Sequence, residues 1–295
     1  MPRPRYIALL ALAVADISTA SILVRLSGVP GFVAASWRLI LSSAITLAAY
    51  AVLEARRGPP RPSPRDTVLM VVSGVALAFH FGLWMMSLSY MSVASSVTIV
   101  DSYPAVLAVA GRFLLGERYA PAQLLGAAVA LAGVAGLSLE ARSAPAPPGA
   151  RPLLGAALSL AGMLCVALYF SIGKAMRGRH STLEYTGIVY GAAALASVIA
   201  TRALGYGLTG YPGRSYVYLV LLALLPMLGG HTIINYVLPR LSLLAATVPV
   251  LGEPLGASLL AWLILGEPLT PGEALWMTVT LAGIGAVLAG EEPRM

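Results

Sequence analysis

Amides, lysine and cysteine are almost absent from this sequence: Asn235, Gln123, Lys174 and Cys165 are each the only residue of their kind. A lone cysteine excludes an intramolecular disulfide and any cysteine-built metal cluster. It sits inside an apolar run and reads as a small packing residue. Charge is scarce too, at 11% of residues, where a soluble domain carries roughly a quarter. There is no GxxxxGK[ST] phosphate loop, so the chain itself offers no ATP drive. An HExxH pair is missing, which argues against a metalloenzyme. No TVGYG-like filter or ladder of basic residues suggests a channel or a voltage sensor. The single lysine lies near a helix end, a poor place for a retinal-type Schiff base. Neither a cofactor nor a metal is expected.

What remains is apolar. Hydrophobic residues make up 58% of the chain, more than a water-facing domain needs and what a lipid-facing surface requires. In a bilayer every span must satisfy its own backbone, so the choice is between helices and a closed barrel. The apolar runs are about 20 residues long and do not alternate, which selects helices. The net charge of +7 does not point to nucleic acid, because the basic residues sit mainly at the ends of apolar runs, where topogenic charge belongs.

Ten segments are predicted as helices, numbered α1 to α10: 6–26, 31–54, 67–89, 92–115, 121–140, 152–176, 183–203, 216–238, 242–265 and 272–290. The first follows Arg3 and Arg5 as a signal peptide would, but its apolar run is longer than a typical signal-peptide core and is read as a span. The longest polar connectors are 56–65 and the Pro- and Ala-rich 141–151. The second is read as a linker, giving a first repeat over 1–140 and a second over 152–290.

Internal repetition supports that division. Slid by 150 positions, 92–140 meets 242–290 without a gap: Pro104 on Pro254, Leu115-Gly116-Glu117 on Leu265-Gly266-Glu267, Pro121 on Pro271, Leu131-Ala132-Gly133 on Leu281-Ala282-Gly283. Arg25 pairs with Lys174 at an offset of 149. Low-complexity membrane sequence matches by chance at Ala and Leu, but not over a spaced pattern of this kind. Five helices per half is an odd number, so the halves enter the membrane in opposite directions. The expected fold is an all-α polytopic membrane protein, ten transmembrane helices as two inverted five-helix repeats.

Charge sets the expected orientation. With the N-terminus inside, external ends and loops carry Arg25, Arg142, Arg151, Arg202 and Arg214, Arg38 lies within α2, and the other 13 of the 19 basic residues are cytoplasmic. Both termini are then cytoplasmic in a multi-pass protein of the cell membrane.

The two LGE-x3-P segments, each followed by a small-residue helix with an LAG stretch, resemble the drug/metabolite transporter superfamily and its EamA-type ten-helix members. So does Gly230-His231-Thr232-Ile233-Ile234-Asn235-Tyr236 followed by Gly252-Glu253-Pro254. The likeness covers nearly the whole chain. It departs at Ser102-Tyr103-Pro104, where the second half has Glu-Pro. The resemblance implies export of amino acids, other metabolites or drugs, and specifies the fold better than the substrate.

A charge at a helix centre costs roughly 2.5–3.5 kcal/mol on insertion scales, so each intramembrane polar group needs a partner, a wet cavity or a task. They are Asp16 in α1, Arg38 in α2, His80 in α3, Asp101 in α4, His231 and Asn235 in α8, and Glu253 in α9. His231 and Asn235 share a face at i and i+4, either as ligands for a carboxylate, amide or hydroxyl or as interhelical glue. Ser73, Ala76, His80, Trp84 and Ser87 line one face of α3, a wall for an apolar side chain or plain bundle packing. In α9, Ala245, Pro249, Gly252, Glu253 and Gly256 form a small-residue stripe that turns Glu253 toward protein. Pro254 loosens the turn beside it. Glu253 reads as a proton site, a substrate ligand or a structural acceptor. Arg38 pairs with Asp16 or Asp101, or ligates an anionic substrate. Glu117 and Glu267 read as interfacial caps before Pro121 and Pro271.

The expectation is a secondary transporter exporting a small amphipathic metabolite such as an amino acid by alternating access. Substrate would be held by His80, Trp84, His231, Asn235 and Arg38 between α3, α4, α8 and α9, with Glu253, Asp101 and Asp16 as proton-coupling candidates. Its partners are the substrate and the lipid bilayer, with no nucleic acid, and the chain is taken as a monomer. One alternative is a membrane-embedded enzyme acting on a lipid or prenyl substrate, disfavoured because no nucleophile–base or metal constellation is present. Another is a carrier of phosphorylated metabolites, which calls for several intramembrane cations where only Arg38 qualifies.

Overall fold

A computed structural model describes residues 4–54, 62–91, 93–140, 149–176, 179–265 and 270–291. These residues form helices and connections only. The observed spans are α1 (Pro4–Ser27), α2 (Gly31–Leu53), α3 (Pro64–Ser87), α4 (93–114), α5 (Pro121–Glu140), α6 (Pro152–Ala175), α7 (Thr182–Ala203), α8 (Gly213–Val237), α9 (243–265) and α10 (Pro271–Ala289). Among the described residues nine are long and apolar enough to cross a membrane, and α5 supplies a shorter apolar tenth. Glu267, most of the 141–151 connector and the arginines at 3, 56, 57, 61, 142, 177 and 294 lie outside the described residues.

Local chemistry sets the helix starts. Proline occupies the first turn of α3, α6 and α10, where its missing N–H costs nothing. Ser63, Ser181, Ser242 and Thr270 cap α3, α7, α9 and α10 through their hydroxyls. The outside is apolar: Leu125, Leu195 and Leu263 are each more than 60% exposed. The charged residues Arg38, Asp101, Lys174 and Glu253 are buried. This inside-out distribution suits hydrocarbon as solvent.

The packing repeats with the sequence. α1 lies on α8 as α6 lies on α3; α4 meets α6 as α9 meets α1; α5 pairs with α10 and α2 with α7. Each contact maps to another, or to itself, when every helix is exchanged for the one five places away. The α5–α10 pair shows what the repeated LAG is for. A Cβ on Gly133 would strike the Thr280 backbone, and one on Gly283 would strike the backbone at Gly126 and Ala130. Only glycine lets these two backbones approach so closely.

Four helices are irregular at depth. α1 breaks at 18–19, where Ser18 Oγ donates to the Val14 carbonyl and Thr19 Oγ1 to that of Asp16, both at 2.7 Å. α4 breaks at Ser102, just before Pro104. α8 widens into a π-helix over Ala223–His231 around Pro226, and α9 tightens into a 3₁₀ turn over Val248–Gly252 around Pro249. Prolines explain three of the interruptions. Asp16, Asp101, His231 and Glu253 each lie in or directly beside one of these breaks.

Candidate functional site

The breaks place polar groups around a cavity in the middle of the bundle. Arg38 comes from α2, His80, Phe81 and Trp84 from α3, Asp101 from α4, His231 from α8 and Glu253 from α9, with Ile17 and Ala20 of α1 closing it. The volume is about 20 Å³, enough for one water and too little for a metabolite. The site is occluded.

Aromatic rings fix the polar groups. The Arg38 guanidinium lies 3.9 Å from the Phe81 ring centroid. His80 Nδ1 donates to the Gly162 carbonyl oxygen at 3.0 Å, because a carbonyl only accepts. Its ring is parallel to Trp84, centroids 6.4 Å apart. His231 meets Phe81 edge-on at 5.1 Å and stacks on Phe170 at 6.2 Å. The two histidine rings are 6.2 Å apart.

Several of these groups have no hydrogen-bond partner. Arg38 Nε and one of its terminal nitrogens, Trp84 Nε1, Asp101 Oδ2 and His231 Nδ1 are buried and unsatisfied. Arg38 makes no ion pair among the described residues. A buried unpaired polar atom costs about 1–3 kcal/mol, more if charged, and five such atoms belong to residues that line this one small cavity.

Six of the eight residues singled out from sequence line this cavity: Arg38, His80, Trp84, Asp101, His231 and Glu253. Asn235 does not. Its amide donates to the Tyr169 hydroxyl, to the His231 carbonyl at 2.8 Å and, at 3.5 Å, to the Tyr190 hydroxyl. It borders a separate small cavity with Tyr185 and His180. Asp16 sits against Gly229 of α8, where an added Cβ would strike its carboxylate. Sequence reading passed over Phe81, Tyr169, Phe170 and Tyr190. Phe81 adjoins His80 in sequence, but only the fold brings Tyr169 and Phe170 of α6 to His231 and Asn235 of α8.

A second polar cluster closes one end of the bundle. Lys174 lies 3.3 Å from Glu117 Oε1 and donates to the Leu238 carbonyl at 2.8 Å and to that of Leu241. Glu117 Oε2 accepts the Leu243 N–H at 2.7 Å. Glu117 therefore caps α9, 126 residues away, not α5 as its position suggested. Glu291 accepts from the Ser242 N–H at 2.6 Å, and Gln123 donates to Glu291 at 2.7 Å and to Ser242 at 3.0 Å. Helix alternation puts the start of α3 at this same end. There Asp66 receives Arg179 at 2.9 Å and His180 at 3.1 Å.

A two-fold repeated helical bundle with broken helices around an occluded polar cavity defines a membrane transporter. The chain belongs to the EamA-like transporter family, whose profile matches residues 5–139 and 153–289. It is 28% identical over 259 residues to an uncharacterised Pseudomonas aeruginosa protein, covering 87% of this chain and 83% of that one. It is 25% identical over 237 residues to a Streptantibioticus cattleyicolor protein named as a probable terminal-alkyne amino-acid exporter, covering 80% and 78%. A solved crystal structure 20% identical in sequence shares the fold, with a TM-score of 0.78 over 97% of this chain and 98% of its own.

Proposed function

We propose that this protein is a secondary transporter exporting a small amphipathic metabolite, such as an amino acid, across the cell membrane by alternating access. The observation that carries the reading is the convergence of unsatisfied Arg38, Trp84, Asp101 and His231 atoms on one closed cavity. A guanidinium suits a carboxylate, Asp101 and Glu253 suit an ammonium group, and Phe81 and Trp84 suit an apolar side chain. The relative named as an exporter of an alkyne-bearing amino acid agrees with that combination.

The one-water volume means that substrate enters only when the bundle opens. α1, α4, α8 and α9 are the helices to move, because each has a hinge beside the site. His80 and Trp84 form the wall, and Asn235 shapes it from behind through Tyr169. Both termini lie in the cytoplasm, the repeats are joined by the 141–151 linker, and one chain builds the whole cavity, so a monomer suffices. Glu253 or Asp101 carries a proton in exchange for substrate. Asp16, at the break in α1 but outside the cavity, is the third candidate.

The test is an imposed pH gradient across proteoliposomes holding only this protein. Wild type is expected to concentrate substrate. Glu253→Gln or Asp101→Asn should abolish uphill movement and retain downhill exchange. Equilibration without concentration under any imposed pH or voltage gradient would reduce the protein to a facilitator.

A further inference from the structure

A cleft of about 400 Å³ lies away from the central cavity, between the end of α4 and the start of α5. That is the size of a ligand site. Val109, Phe113 and Leu124 form an apolar floor, and Arg112, Arg118 and Tyr119 form a polar rim. The floor opens outward: Val109 is 59% and Phe113 79% exposed, on the side where hydrocarbon would lie.

Arg112 belongs to the last turn of α4. Arg118 follows Gly116, whose φ of +65° turns the chain back and lets both guanidiniums border one cleft. Both arginines are exposed, and neither makes a hydrogen bond or ion pair among the described residues. Two other arginines at this end are engaged: Arg179 holds Asp66, and Arg240 stacks 3.9 Å over Tyr236.

We propose that this cleft binds an anionic phospholipid, its phosphate between Arg112 and Arg118 and an acyl chain along Val109, Phe113 and Leu124. The order of the lining, cations at the helix ends and apolar residues toward mid-span, matches the order of groups in a lipid. Arginine forks bind phosphate oxygens two at a time, and basic pockets between membrane helices favour anionic headgroups. The apolar floor distinguishes a lipid from a soluble phosphate. The site is independent of the transported substrate.

Full-length protein with Leu124→Trp, reconstituted with brominated phosphatidylglycerol or brominated phosphatidylcholine, reports occupancy through the quenching it shows beyond that of the parent chain, whose four tryptophans set the background. A partner series adds Arg112→Gln and Arg118→Gln. Native mass spectrometry follows lipid retention in the otherwise wild-type chain. Phosphatidylglycerol should be preferred in both readouts. The preference should fall about 25-fold in the double arginine variant, because each basic residue near an anionic surface contributes about fivefold. An unchanged melting temperature in phosphatidylcholine would show that the variant folds. Equal quenching by the two lipids, or a preference that survives the double substitution, would overturn the proposal. Displacement of phosphatidylglycerol by millimolar inorganic phosphate would also overturn it, in favour of a soluble phosphorylated ligand.

Discussion

The Arg38 guanidinium rests 3.9 Å from the centroid of the Phe81 ring and forms no ion pair among the described residues, although the Glu253 carboxylate lines the same cavity. A charge held by an aromatic face, with donors left over, is costly as structure and useful as a binding group. Replacing it should therefore separate folding from function. Arg38→Leu is expected to keep or raise the melting temperature while lowering transport by on the order of 10- to 100-fold, the worth of a charge-assisted hydrogen bond. Arg38→Lys should restore little, because an ammonium has no planar fork to stack on Phe81. Thermal unfolding in detergent and exchange rates in liposomes measure the two effects.

His231 and Asn235 occupy adjacent turns of one helix and should behave differently. His231 ends in the cavity with a free Nδ1, whereas the Asn235 amide is committed to Tyr169, Tyr190 and the His231 carbonyl. His231→Ala should impair transport at little cost in stability. Asn235→Ala should lower stability by about 0.6 kcal/mol and at most about 1.7 kcal/mol, the average and maximum for interhelical hydrogen bonds in a bilayer, with a smaller loss of transport. Matched melting curves and uptake assays on the two variants decide the point.

Lys174 and Glu117 hold one end of the bundle together, 3.3 Å apart and both buried. Lys174→Met removes the cation 3.3 Å from the buried Glu117 carboxylate and should cost roughly 3–5 kcal/mol. Lys174→Met with Glu117→Gln should recover part of that loss, because the carboxylate charge goes with the ammonium and the glutamine can still accept the Leu243 N–H. Double-mutant thermal stability measures the coupling.

The glycines of the repeated LAG are expected to be intolerant of any side chain. Gly283→Val forces α5 and α10 apart at Gly126 and Ala130 and should destabilise by about 1–3 kcal/mol. Gly285 in the same helix has nothing within reach of an added Cβ, so Gly285→Ala should be neutral or slightly stabilising, since alanine favours helix. Expression level and melting temperature of the two variants provide the comparison.

The helices were legible because spans of about 20 apolar residues have few alternatives. The repeat pairs Gly133 with Gly283, and each sits where α5 and α10 come close, Gly133 on Thr280 and Gly283 on Gly126 and Ala130. The breaks beside Pro104, Pro226 and Pro249 are marked in the sequence by proline, whereas the turn at Pro254 stays helical. The break at Ser18–Thr19 carries no such mark, because serine and threonine also sit within unbroken helices. Of the six singled-out residues that line the cavity, Arg38, His80, Asp101, His231 and Glu253 stand out through the cost of a polar group in lipid, and Trp84 through its place on the His80 face of α3. Roles that depend on distant partners were hidden: the Asn235 amide finds Tyr169 at a separation of 66 residues, and Glu117 finds Leu243 at 126. Nothing local distinguishes a substrate ligand from a group that braces one.

The most direct measurement is counterflow in liposomes containing only this protein, loaded with unlabelled amino acid and diluted into its labelled form. Wild type is expected to accumulate label transiently above equilibrium, with faster exchange for amino acids with apolar side chains. Arg38→Leu should abolish the overshoot while remaining folded. An overshoot of full size in Arg38→Leu would remove the central cavity from the transport path. No overshoot in wild type with any amino acid, amine or other small amphipathic metabolite would contradict secondary transport of such a substrate by this protein.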